Sequence, residues 1–191
     1  MAIKINPVDA DCCPDVLELR PDRFGDERGF FSETYNRAEL QRHGLNHEFV
    51  QDNQSLSAEP GTVRGLHFQI PPFAQAKLIR VIRGAIFDVA VDIRTGSPDF
   101  GRHVSAIVSA DAWNQLLIPA GFAHGFCTLE AGSEVIYKVD APYSPEHDRG
   151  LMWNDPELGI DWPFASAAAT LSEKDRNHPP LAQLPDYFDY A

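Results

Sequence analysis

The chain has 191 residues, of which 43% are hydrophobic and 23% charged, with a formal net charge of −12. Those values describe an ordinary globular chain, long enough to bury a core without staples, and they predict a single domain over 1–191. They exclude a general nucleic-acid binder, whose affinity needs clustered Lys and Arg, whereas a small phosphorylated ligand needs only a few local cations.

In chain order, residues 1–25 read as an irregular start with one strand, 16–20 (VLELR). Residues 26–34 (DERGFFSET) are a turn leading into an aromatic strand, with Arg28 and Glu33 as its polar members. A helix is predicted over 36–43, because Asn36 can cap it, Glu39 completes a capping-box spacing and Gly44 can end it. From Glu48 the chain turns β-rich: FVQDNQSLS, GTVRGLHFQ, AKLIRVIRG, AIFDVAVDI, HVSAIVS, NQLLIPAGFAHGFCTL and SEVIYKVD follow one another, separated by Gly, Pro, Ser and Asp. Alternation puts Phe87, Val89, Val91 and Ile93 on one side and Asp88 and Asp92 on the other. Short, regularly spaced strands with turn signals predict an all-β antiparallel sandwich or barrel with a few short helices. The last forty residues are irregular. SEKD (172–175) reads as a short helix start, and the tail LPDYFDYA either packs its aromatics or frays. Trp113, Trp153 and Trp162 read as packing residues.

Three cysteines, Cys12, Cys13 and Cys127, are odd in number and lack metal-site spacing, which predicts free thiols in a reducing compartment. The N-terminal MAIKINPVDADCC holds no apolar core of signal-peptide length and no stretch reaches membrane-span length. The expected location is the cytoplasm.

Chemistry concentrates in 63–83, VRGLHFQIPPFAQAKLIRVIR. This stretch sets Arg64, His67, Gln69 and Lys77 on two short strands joined by a Pro-rich turn. Further on, Pro119-x-Gly121-x-x-His124 resembles the second motif of the cupin superfamily. Metal-binding cupins pair it with a His-x-His and a later Glu, but here the first region reads His67-Phe68-Gln69 and Lys77 follows. Two histidines fall short of the usual three or four ligands, and an ammonium repels a cation, so no metal is expected. An imidazole titrates near neutrality, so His67 can serve as a base if a carboxylate fixes its tautomer. Lys77 can stabilise an enolate oxygen, and a buried tyrosine such as Tyr137 can return a proton. The residues alone leave His67 open between base and packed polar group, and do not choose its carboxylate from 28 acidic residues.

The colinear motifs DERGFFSE, FVQDNQS, RGLHFQ, AQAKLIRVIRG, FDVAVDIR, GSPDFG, IPAGFAHGF, YKVDAPYSPEHDRG, WNDPELGIDWP and LSEKD resemble the dTDP-4-dehydrorhamnose 3,5-epimerases of deoxysugar biosynthesis, from about Arg28 to about Asp175. The resemblance implies a cupin-type jelly roll that forms a homodimer and uses neither metal nor organic cofactor. It also implies a nucleotide-diphosphate sugar substrate inverted beside its 4-keto group. It casts His67 as the base, Tyr137 as the acid, Asp175 as the carboxylate orienting His67, and Lys77 as the group holding the enolate oxygen. Arg64 and His124 become contacts around the sugar and diphosphate, with Lys174 and Asp148 as further substrate contacts. Arg28 and Glu33 are similar to nucleotide contacts, some from the neighbouring subunit, and Gln51, Asp52 and Asn53 to base contacts. Arg28, Arg64, Lys77 and Lys174 would then concentrate cations in one pocket of an acidic protein.

Two departures stand out. Pro142-Tyr143 replaces the family's common pair of aromatics, which bears on the nucleotide base, and Asp148 replaces the usual Glu of SPEHERG. Three rivals follow. One is an epimerase of altered scope, inverting C3 or C5 alone or taking another nucleotide sugar. Another is a catalytically silent cupin that binds nucleotide sugar. Ranked below these is a metal-dependent cupin enzyme.

Overall fold

The computed structural model describes residues 3–165 and 168–190. Strands β1 (Ile3–Pro7) and β2 (Leu17–Pro21) form an antiparallel pair, and β3 (Phe24–Asp26) and β4 (Gly29–Phe31) form a small hairpin. Helix α1 (Arg37–Arg42) follows, then β5 (Gln51–Ser57), β6 (Val63–Gln69), β7 (Lys77–Arg83), β8 (Ala85–Asp92) and β9 (His103–Ser109). The chain continues with β10 (Gln115–Ile118), β11 (Phe122–Thr128), β12 (Ser133–Val139), β13 (Asp148–Gly150) and helix α2 (Glu173–Arg176).

Two antiparallel sheets face each other, ordered β1-β2-β10-β7-β12-β5 and β13-β6-β11-β8-β9. This is the predicted all-β jelly roll, built as a sandwich. The separated order of sequential strands is what double-sheet rolls require. Between the sheets lies an apolar core that includes Ile79, Val81 and Val135 from one sheet and Ile86, Ala90, Val104 and Phe126 from the other. Each fully buried aliphatic side chain there contributes about 1.5–3 kcal/mol.

The outer face of the second sheet is covered as well. Leu66, Phe68, Val89 and Val91 pack beneath Leu151 and Leu158, with Trp162, Tyr187 and Phe188 against them. The tail therefore packs its aromatics: Phe68 lies 5.9 Å from Tyr187 and 6.1 Å from Phe188, ring centre to ring centre. On the other sheet Leu40 of α1 caps Leu19, Leu78 and Leu117.

Local signals account for the helices. Asn36 accepts a hydrogen bond from the Glu39 amide at 3.2 Å and so caps α1, as predicted. Ser172 does the same for α2, accepting from the Asp175 amide at 3.1 Å. The first 25 residues hold more strand than predicted, because β1 pairs with β2 at the sheet edge. The DERGFFSET strand is instead a hairpin. The Asp26 carboxylate accepts the Arg28 amide at 2.8 Å and turns the chain, which leaves Arg28 in the turn and Glu33 beyond β4. Among the described residues no helix is long and apolar enough to cross a membrane.

Candidate active site

Arg64 and His67 stand three positions apart, so a regular strand would point them to opposite faces. A bulge changes this. Arg64 pairs with Phe126 and His67 with His124, so the two residues between on β6 oppose one on β11. Glycines make the bulge possible. A Cβ on Gly65, whose φ is +132°, would lie 2.5 Å from the Gly125 Cα. Both Arg64 and His67 consequently line one cavity of about 330 Å³ between the sheets.

The cavity sits where the inter-sheet core gives way to polar side chains. Lys77 shares the inner face of β7 with Ile79 and Val81, and Tyr137 shares that of β12 with Val135 and Val139. His67 and His124 enter from the opposite sheet, side by side on β6 and β11. Asp175 arrives from α2, where helix capping fixes its backbone. His67 Nε2 lies 2.5 Å from Asp175 Oδ1. With the carboxylate ionised, the shared proton rests on Nε2, which leaves Nδ1 free to accept another. His124 has its own carboxylate: its Nε2 lies 3.0 Å from both oxygens of Asp88. Lys77 Nζ donates to the His67 carbonyl at 3.0 Å.

The electrostatics suit proton transfer. Burial lowers the His67 pKa below its ordinary value; Asp175 opposes this, while Lys77 and Lys174 reinforce it. The ring is therefore neutral at neutral pH, the form that can accept a proton. Burial lowers Lys77 to about 8, with Asp88 and Asp148 pulling it back up. Burial raises the Tyr137 phenol; Arg64 acts against that and Asp148 with it, so the proton stays on oxygen at neutral pH. Asp175 is held well below the usual carboxylate range. Burial opposes its ionisation, but His178, His67 and Ser172 outweigh burial.

Eight of the thirteen residues to which the resemblance gave a role line this cavity: His67, Tyr137, Lys77 and Asp175, with Arg64, His124, Asp148 and Lys174. Lys174 pairs with Asp148, and Tyr143 donates its hydroxyl to Asp148 at 3.0 Å. The other five lie elsewhere. Gln51 donates to Asn53 Oδ1 at 2.8 Å and accepts from the Tyr143 amide at 3.0 Å, so it stands at the rim. Asn53 is register-paired with Tyr137. Asp52 points to the other face, where it pairs with Lys138 at 2.8 Å. Glu33 accepts from Asn36 at 3.0 Å in a separate small depression. Arg28 pairs with Asp26 in the exposed hairpin, its side chain 89% exposed.

Two residues escaped the sequence reading. Asp88 was placed by alternation opposite Val89, but nothing local marks it as the partner of a histidine 36 positions on. His178 lies against Asp175, and the Asp-x-x-His spacing was its available signal. His67, Asp175 and His178 each bring one ligand atom within 4.8 Å of the others, close enough to share an ion. The positive charges of Lys77 and Lys174 act on His67 and oppose a dication there, and the His67–Asp175 hydrogen bond already uses two of the three ligand atoms.

A jelly roll whose inter-sheet cavity holds a carboxylate-backed imidazole, a protonated phenol and a buried ammonium defines a class, the cupin-type isomerases that work by acid–base proton transfer. The family profile described as dTDP-4-dehydrorhamnose 3,5-epimerase matches residues 12–183, and the chain belongs to that family. A Sinorhizobium fredii dTDP-4-dehydrorhamnose 3,5-epimerase is 55% identical over 93% of this chain and 90% of its own. The Bacillus anthracis enzyme, crystallised with TDP and pyrophosphate, superposes with a TM-score of 0.88 at 52% identity over 94% of this chain and 99% of that one. A Legionella pneumophila epimerase in complex with dTDP-4-keto-L-rhamnose gives a TM-score of 0.92 at 38% identity over the full length of both chains.

Proposed function

We propose that this chain converts dTDP-4-dehydro-6-deoxy-D-glucose to dTDP-4-dehydro-L-rhamnose by inverting C3 and C5. The observation that carries this reading is the convergence of Asp175-backed His67, Tyr137 and Lys77 on one cavity from facing sheets. Protons beside a ketone are acidified because the enolate spreads the charge. His67 Nδ1 removes the proton on one face of the sugar ring. The electron pair moves onto the C4 oxygen, where the Lys77 ammonium stabilises it. Tyr137 then delivers its phenolic proton to the opposite face of the same carbon, the ketone reforms, and the inverted centre is left. Solvent returns the proton to tyrosine and takes one from histidine, so no external acceptor is needed. Arg64, Lys174 and His124 serve the diphosphate and sugar, with Asp148 holding Lys174. Gln51 and Asn53 belong to the nucleotide side, whereas Asp52, paired with Lys138 on the other face of β5, does not reach the cavity of its own chain.

Arg28 and Glu33 fit this scheme as contacts to a neighbouring subunit's substrate in a homodimer. Phe30 and Phe31, 56% and 63% exposed beside Arg28 on the hairpin, support an interface there. Light scattering should give a mass twice that of the 21.2 kDa chain; a monomer overturns the dimer. The reading is of one domain over 1–191 acting in the cytoplasm, in keeping with three free, buried cysteines.

In deuterated buffer the substrate should gain label at both C3 and C5, read by mass and proton spectra. Label at neither carbon sinks the assignment, and nucleotide binding without exchange marks a silent binder. Label at one carbon selects the narrower epimerase that Pro142 raises.

A further inference from the structure

Outside the acid–base pair, one polar side chain near the cavity has no assigned task. His178 follows α2 and its side chain is 9% exposed. Its Nε2 is buried and has no hydrogen-bond partner among the described residues. Buried polar atoms are normally satisfied, so an orphan calls for a reason. That nitrogen lies 3.5 Å from Asp175 Oδ1, the same oxygen that accepts the hydrogen bond from His67 Nε2–H. The two imidazoles meet edge to face, with ring centres 5.6 Å apart at 83°. The backbone makes room for this ring. A Cβ on Gly150 would collide with His178, and Gly150 pairs with His67 in the β13–β6 ladder. A glycine opposite the base therefore admits a second imidazole beside the base's carboxylate.

We propose that His178 is a positioning residue for the epimerisation, holding Asp175 in place and sharing its Oδ1 so that His67 releases its proton readily. This inference rests on His67 acting as the base. An Nε2–H held 3.5 Å from Oδ1, too misaligned for a hydrogen bond, still stabilises the carboxylate as an anion through its dipole and draws off part of the charge that His67 feels. Without it, Oδ1 grips the imidazolium more tightly, His67 becomes a stronger and stickier base, and its proton leaves more slowly. The other charged and titratable groups that line the cavity with His67 are Arg64 from β6 itself, Lys174 from α2, Lys77 from β7, Asp148 from β13, His124 from β11, Tyr137 from β12 and Tyr143 from the loop before β13. None of them is removed by changing His178.

The test compares His178→Phe, which keeps the ring volume and loses the donor, with His178→Gln, whose amide nitrogen falls near the position of Nε2. For His178→Phe, kcat should fall about tenfold with KM within about twofold, and the acid limb of the kcat profile should rise by about half a pH unit or more. His178→Gln should return the limb to the wild-type position. A His178→Phe enzyme with the wild-type profile overturns the proposal. So does a fall in kcat without a moved limb, which marks a packing role, or a His178→Gln profile displaced as far as that of His178→Phe. Should His178→Phe not fold, His178→Asn replaces it, since its amide reaches only to Nδ1 and the same displacement relative to His178→Gln is expected. Absence of exchange in the wild-type enzyme is a different failure and strikes the assigned reaction.

Discussion

Strands β6 and β11 each carry a histidine at the same level of the sheet, and each histidine is backed by a carboxylate, yet the two pairs are built differently. His67 meets Asp175 through a single oxygen at 2.5 Å, and the carboxylate comes from a helix 108 positions away. Its side chain is 32% exposed, against 5% for Asp175. His124 faces both oxygens of Asp88 at 3.0 Å, from the neighbouring strand of its own sheet. There the exposures are 8% and 0%. One pair presents a free ring nitrogen to an open cavity, backed by a carboxylate on a separate element. The other is a closed clamp within a ladder. The same pairing of imidazole and carboxylate is thus open to the cavity in one place and closed within a ladder in the other.

This contrast is broken most directly by deleting each imidazole in turn. His67→Ala should cut turnover by roughly 10³-fold, the scale of a lost general base, with a smaller loss of stability, because the ring is 32% exposed and Asp175 keeps His178 and Ser172 as partners. His124→Ala should do the reverse. It strands Asp88, fully buried, without its imidazole, and should cost roughly 3 kcal/mol in chemical denaturation, as for other broken buried pairs. Turnover of the folded fraction should fall no more than about tenfold, the loss of one hydrogen bond. Equal losses of turnover in both variants would mean that the closed clamp also moves protons.

Lys77 stands between the two pairs and sharpens the comparison. Its pKa of about 8 lies below the ordinary 10.5, chiefly because it is buried. The unfolded chain therefore holds this proton to higher pH than the folded one. The folding penalty is full below about pH 8 and is relieved as pH rises toward 10.5. By linkage it amounts to roughly 3 kcal/mol. Lys77→Met should be more stable at pH 7 by up to about that amount and should lose the rise in stability over that window. Its turnover should fall roughly 10²-fold, as when an oxyanion donor is removed. If the charged form is the working one, wild-type kcat/KM falls above pH 8. A Lys77→Met enzyme that is both less stable and fully active would refute the strain-for-function reading.

How legible was this in the sequence? The elements with local signatures were: the Asn36 cap, the SEKD helix start, the alternating strands and the motif positions of His67, Lys77, Tyr137 and Asp175. What escaped depends on long-range packing. Alternation put Asp88 and Val89 on opposite faces of β8, and the structure agrees, but both faces are buried. The outer one is covered by an irregular C-terminal segment that has no period to read. The bulge between Gly65 and Gly125, which turns Arg64 and His67 into the same cavity, appears only once β6 and β11 are paired. His178 hides in that irregular segment, and its relation to His67 passes through a third residue.

The smallest expected effect concerns β5, whose three candidate positions the structure separates. Gln51 and Asn53 alternate with Asp52, and Asn53 is paired with Tyr137, while Asp52 joins Lys138 on the other face. An exposed pair of that kind is worth under about 0.5 kcal/mol. Asp52→Ala should therefore leave stability almost untouched and change KM by less than about twofold, whereas Asn53→Ala should raise KM several-fold by removing a polar group beside Tyr137. The two measurements need to be read together. If Asp52→Ala raises KM as much as Asn53→Ala, then the outer face of the sheet also meets substrate. A single chain does not bring that face to its own cavity, so the contact would have to be made across the dimer, and the Lys138 pairing would be the resting state of a residue that works on the partner's nucleotide.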